Sequence, residues 1–113
     1  MRKILVLFFF TLIIFLACKT TQPISLVPDA QDEEFAKGRW SGTDLTQLNS
    51  GYKIYNEKCQ SCHSLHKPTE YDEAGWTKII PWMGKKAFVN EADQQLILHY
   101  LLSKREVMKK TKK

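Results

Sequence analysis

Apolar residues are distributed along this chain as one unbroken block followed by three regular arrays. The block is Ile4 to Leu16, thirteen residues of which Thr11 alone is polar. The first array, Leu45, Leu48, Tyr52, Tyr55 and Cys59, is spaced 3, 4, 3 and 4. Trp76, Ile79, Ile80 and Met83 form the second, and Ala92, Leu96, Ile97, Tyr100 and Leu101 the third. Such spacing is one face of an α-helix. Each array has a capping residue before it: Thr43 or Asp44, then Asp72, then Asn90 with Asp93 three residues on. The pattern predicts an all-α chain in which Pro81, lacking the N–H that a helix interior needs, complicates the middle helix.

The apolar block belongs to no core. A membrane span needs about 20 apolar residues. This run is shorter, follows Arg2 and Lys3, and ends in Ala17-Cys18, as a secretory leader does. Phe15-Leu16-Ala17-Cys18 resembles the lipobox of bacterial lipoproteins, with Phe15 where the pattern prefers leucine. The resemblance implies that residues 1–17 are a lipoprotein-type signal peptide and that Cys18 is lipidated. The other reading is an ordinary leader with Cys18 incidental. Removing residues 1–17, which carry Arg2 and Lys3, leaves 96 residues and lowers the formal charge from +5 to +3. That length holds one small domain and excludes a large multi-site enzyme.

Residues 18–42 are expected to be the lipidated N-terminus and a flexible linker. Pro23 and Pro28 break regular structure, and Asp29, Asp32, Glu33 and Glu34 form an acidic patch. Partial docking through Phe35 and Trp40 is the competing expectation. The domain is then residues 43–108, and residues 109–113 are a basic tail.

Three cysteines cannot all pair within one chain. Two of them stand in Cys59-Gln60-Ser61-Cys62-His63. Thiols three residues apart can each add to one vinyl group of a haem, with the adjacent imidazole carried beneath the ring to bind iron. The rivals account for less of the pattern. A thioredoxin-like pair opens a helix within a βαβ unit, whereas this pair ends a predicted helix with no period-two runs beside it. A zinc site from Cys59, Cys62, His66 and His99 lacks the second paired ligand set. A Cys59–Cys62 disulfide closes a very small loop and stabilises little.

From Gly51-Tyr52-Lys53-Ile54-Tyr55 through the pentapeptide, a Trp and Met segment, and a terminal Tyr100-Leu101-Leu102, the chain resembles the monohaem class I c-type cytochromes. The resemblance covers about residues 43–102. It implies a small fold of about three to four helices around one covalent haem c, with Cys59 and Cys62 as thioether cysteines and His63 as proximal iron ligand. Met83, 20 positions after His63, is the methionine in an apolar setting, since Met1 falls in the leader and Met108 in a Lys-rich tail. Thioether ligation would raise the reduction potential and close the iron to oxygen and peroxide. A flexible core filler is the other reading of Met83. His66 is expected to be a solvated loop residue, His99 to be surface-exposed, and Pro68 and Tyr71 to line the proximal side.

These expectations describe a membrane-tethered electron carrier, not an enzyme, exported to the periplasmic or cell-surface side of a bacterial membrane. Redox proteins of a respiratory chain are its expected partners, and nucleic acid is not. An open iron site with peroxidase or sensor-like activity, as the haem subunit of a larger complex, is one alternative. A non-haem thiol or zinc module is another. The basic C-terminus, Lys104, Arg105, Lys109, Lys110, Lys112 and Lys113, suits an acidic redox partner, anionic lipid headgroups or plain solvation. With so little apolar core in the predicted domain, the apoprotein is expected to fold poorly.

Overall fold

The computed structural model describes residues 25–113. The leader and Cys18 lie outside the described residues. Those residues form four helices and no strand. The helices are α1 (Ala30–Arg39), α2 (Leu45–Ile54), α3 (Glu73–Lys86) and α4 (Glu91–Thr111). None of them is long and apolar enough to cross a membrane.

Helix α1 stands where a flexible linker was expected. Asp29 caps it, accepting from the Gln31 and Asp32 N–H groups, while the Asp32 carboxylate accepts from the Asp29 N–H. This reciprocal pair satisfies donors that a helix start otherwise leaves bare. The helix docks on α4 through Ala36 and Asp32, both buried. Asp32 meets Lys104 of α4 at 2.5 Å. Phe35 and Trp40 are half-buried, as the docking alternative required.

The chain turns through Gly42, whose φ of 82° needs a residue without a Cβ, and Asp44 caps α2 by accepting from the Gln47 N–H. Glu33 of α1 accepts from the Leu45 N–H and ties the two starts together. Helix α2 crosses α4 with backbones in contact: a Cβ on Gly51 would collide with the Leu96 carbonyl. On either side of this crossing Leu48 is buried, and Tyr52 stacks edge-on to Tyr100 at 5.4 Å.

Asp72 caps α3, and Asn90 caps α4 by accepting from the Asp93 N–H, both as predicted. Pro81 lies exposed within α3 without ending it. Tyr55, Trp76, Ile80, Val89, Ile97, Tyr100, Leu101 and Leu102 form one buried cluster.

Helix α4 brings three corrections to the expectations from sequence. Ala92 is exposed, because the buried face of α4 begins near Leu96, where α2 crosses. Helix α4 runs on to Thr111 and buries Val107 and Met108, so Met108 belongs to the packed fold and not to a loose tail. Lys104 is buried against α1, and Arg105 donates from Nε to the Tyr71 carbonyl at 3.0 Å. The solvated basic end is therefore Lys109, Lys110, Lys112 and Lys113.

Candidate functional site

The α-helical part of the first array ends at Ile54, before the apolar spacing does. The next five residues, Tyr55–Cys59, continue it as a π-helical turn. A π turn takes in one extra residue and rotates the later residues about the axis, and such turns recur at functional positions. Tyr55 stays in the core, while Cys59 is half-buried at the protein's edge and Cys62 and His63 are exposed beyond it. Burial pushes the Cys59 thiol above its ordinary pKa, with the neighbouring Cys62 adding to the effect. Cys59 and Cys62 are free thiols, not a disulfide.

The loop after the pentapeptide is pinned by core aromatics. The Tyr55 hydroxyl donates to the His66 carbonyl at 2.7 Å, and Trp76 Nε1 donates to the Pro68 carbonyl at 2.8 Å. Pro68 is fully buried, and Tyr71 packs edge-on to Trp76 at 5.1 Å. Burial raises the Tyr55 phenol pKa far above its usual range, so the hydroxyl remains a donor. Helix α3 faces this loop with Trp76, Ile79, Ile80 and Met83, the four residues of its predicted stripe.

Between loop and helix lies an apolar cleft of about 130 Å³ reached by Cys59, His63 and Met83. A second cleft of about 90 Å³ holds Cys62 with Lys58, Lys86 and Ala87, and Cys59 and Met83 line both. All four predicted site residues thus converge on adjoining clefts. His63 Nδ1 lies 2.7 Å from the Ser64 carbonyl. A carbonyl can only accept, so Nδ1 carries the proton and Nε2 keeps its lone pair for a metal. Two thiols, an imidazole with a free Nε2 and a thioether, set around an apolar cleft, fit covalently attached haem. A larger open groove of about 570 Å³ between α1 and the end of α4 contains no thiol, imidazole or thioether.

His66 is less free than a solvated loop residue. Its side chain is partly exposed, yet it lines the cleft and its Nδ1 lies 2.6 Å from Glu70, whose pKa that contact lowers. His99 is half-buried, not surface-exposed: its ring stacks on Trp40 at 4.1 Å, and Nδ1 lies 3.3 Å from the Thr43 hydroxyl. It is thereby held away from Cys59 and Cys62. Among the described residues no three His, Cys, Asp or Glu side chains converge to hold a metal ion, so the zinc set does not assemble.

Sequence reasoning missed Trp82, which lines the cleft and carries the Lys86 ammonium 3.7 Å from its ring centroid. It also missed the bonds from Tyr55 and Trp76 to the loop. Their spacing marks both rings as core and says nothing of the carbonyls that their polar ends reach.

A family model described as the Cytochrome C1 family matches residues 35–74, the stretch from α1 through the pentapeptide to the start of α3. The match supports a c-type cytochrome with covalently bound haem c and ends before Met83. Neither curated proteins nor solved structures yielded a match.

Proposed function

We propose that this protein is a single-haem electron carrier in which Cys59 and Cys62 would hold the haem through thioethers and His63 and Met83 would ligate its iron. The observation that carries the reading is the convergence of Cys59, His63 and Met83 on one apolar cleft. When bound, haem c supplies a one-electron iron couple. The chain's own residues set its surroundings. The Ser64 carbonyl holds the His63 ring in the tautomer that can ligate. Trp76, Ile79 and Ile80 make the cleft apolar, which would favour the less charged ferrous state. Met83, a soft thioether on the same helix face, would as an iron ligand favour that state too and close the iron to oxygen and peroxide.

The same reading makes the protein an exported lipoprotein, anchored through Cys18 on the periplasmic or cell-surface side of a bacterial membrane and exchanging electrons with respiratory-chain proteins. Support for the anchor is the sequence alone: the basic start, the thirteen-residue apolar run and Ala17-Cys18.

An absorption spectrum of the full chain, produced with haem-attachment machinery, tests the site. A sharp ferrous α band and a weak methionine-to-iron band in the red are expected, the latter lost in Met83→Ala. High-spin bands and carbon monoxide binding by the unmutated protein would remove Met83 from the ligand set. Cys18→Ser is expected to release the protein from the membrane fraction.

A further inference from the structure

The described chain enters the fold through a bend that is fixed to the core yet presents apolar side chains to the outside. The Leu26 carbonyl accepts from the Tyr100 hydroxyl at 3.0 Å, and the Val27 N–H donates to the Ser25 hydroxyl at 3.2 Å. Tyr100 is buried, and burial lifts its phenol pKa far above the usual range, so the hydroxyl remains a donor. Pro28 is buried behind the bend, and Asp29 caps α1 directly after it. Leu26 is nevertheless 43% exposed and Val27 46%. A single exposed leucine is ordinary on a protein surface. Two adjacent apolar side chains on backbone whose carbonyl and N–H are already paired within the chain suit an apolar medium, which offers no partner to bare polar groups.

The length of chain before the bend indicates what covers it. On the lipid-anchor reading Cys18 lies in the membrane surface, and residues 19–25 separate it from Leu26. Eight Cα steps reach at most about 29 Å, whereas a linker running to residue 42 would reach about 86 Å. Docking of α1 on α4 thus shortens the tether to a third and keeps the bend close to the bilayer. Electrostatic attraction is not what draws this end to lipid. Asp29 adjoins the bend and Glu34 is exposed on α1, while the solvated lysines begin at Lys109, about 14 Å along α4 from Tyr100.

We infer that Leu26 and Val27 form a membrane-contact site, seated at the boundary between headgroups and acyl chains beside the lipid on Cys18. The inference rests on the lipid-anchor reading and adds a second attachment to it; membrane binding through two elements is far less reversible than through one. The contact also orients the domain. Tyr100 holds the bend and packs 6.1 Å from Tyr55, whose ring lines the apolar cleft, so the bend and the cleft keep a fixed relation over the membrane. A second copy of this chain is the poorer occupant, because two aliphatic side chains from each copy fall far short of the area that a stable dimer buries.

The experiment uses the full chain, lipidated and with haem attached, in phosphatidylcholine vesicles. A nitroxide is placed at Val27→Cys, or at Lys78→Cys on exposed α3 as the control; with Cys18 lipidated and Cys59 and Cys62 in thioethers, the new thiol is the one that reacts. Power saturation then compares collisions with oxygen, which concentrates in the bilayer, and with a nickel chelate, which stays in water. The oxygen-to-nickel ratio at Val27→Cys is expected to be about fivefold above that at Lys78→Cys. Adding Leu26→Asp should bring it within about twofold of the control, while melting temperature moves by less than about 3 °C because the side chain is exposed. High salt should leave the ratio unchanged, since screening does not act on an apolar contact. Equal ratios at the two positions would overturn the inference. So would an oxygen excess that appears only with phosphatidylglycerol and vanishes in salt, which would assign the contact to the lysines, or a solution dimer that Leu26→Asp dissociates. Equal ratios in protein that floats with the vesicles overturn the contact alone, whereas failure of the unmutated chain to float overturns the anchor and the contact together.

Discussion

The Lys104 ammonium lies 2.5 Å from the Asp32 carboxylate, and both side chains are 1% exposed. The pair joins α4 to α1, and Asp29 stands 3.7 Å from the same ammonium. Burial pushes the Asp32 pKa up even though Lys104 and the Asp29 N–H act to lower it. Among the described residues Asp32 Oδ1 has no hydrogen-bond partner, and Lys104 Nζ meets Asp32 as an ion pair without hydrogen-bond geometry, so the pair is incompletely satisfied.

Such a pair is worth little net and is costly to break. Lys104→Ala, which strands a buried carboxylate, is expected to lower unfolding free energy by about 3–5 kcal/mol and to expose α1 to protease. Replacing both partners, Lys104→Met with Asp32→Leu, should restore most of that loss. Urea unfolding of the three proteins checks this, and a single variant with the original midpoint would refute it.

His99 makes stability depend on pH near neutrality. Its folded-state pKa is lowered from the ordinary 6.5, first by burial and then by Arg39. The unfolded chain therefore takes up a proton at a pH where the folded one resists it. The contribution is fully present above about pH 6.5 and is lost as pH falls toward the depressed folded value. The urea midpoint should fall between pH 8 and pH 5.5, and His99→Phe, which keeps a ring against Trp40, should flatten part of that slope.

Gly51→Ala is expected to cost about 3 kcal/mol, the upper end of ordinary overpacking, because backbone meets backbone and no flexible side chain can yield. Denaturant unfolding measures it. Gly38→Ala, with open space around its Cβ, is the control and should be neutral or slightly stabilising.

Trp76→Phe keeps most of the buried ring and removes the donor to the Pro68 carbonyl. A loss of about 1–2 kcal/mol is expected, concentrated in the loop. Hydrogen exchange should show faster amides between residues 64 and 72 and unchanged ones in α4.

The predicted helices that held did so because their evidence is local. Asp44, Asp72 and Asn90 cap α2, α3 and α4, and the face of Trp76, Ile79, Ile80 and Met83 turns inward as its spacing requires. The pentapeptide stands out for the same reason, since its Cys59, Cys62 and His63 are neighbours in the chain. Helix α1 was not legible. Its two buried positions are Ala36 and the charged Asp32, so the face that packs carries almost no apolar signal.

By itself the sequence determined the helical periods, their caps and the spacing of Cys59, Cys62 and His63, all properties of neighbours within a few residues. Tertiary structure alone decided that Lys104 is buried, that Met108 belongs to the core, that His99 stacks on Trp40 and that Phe88 is exposed. Each of these depends on a partner, or on the lack of one, from a distant part of the chain. A side chain's charge or shape does not reveal which other helix lies over it, and that determines whether a lysine is solvated or paired and an aromatic ring buried or exposed.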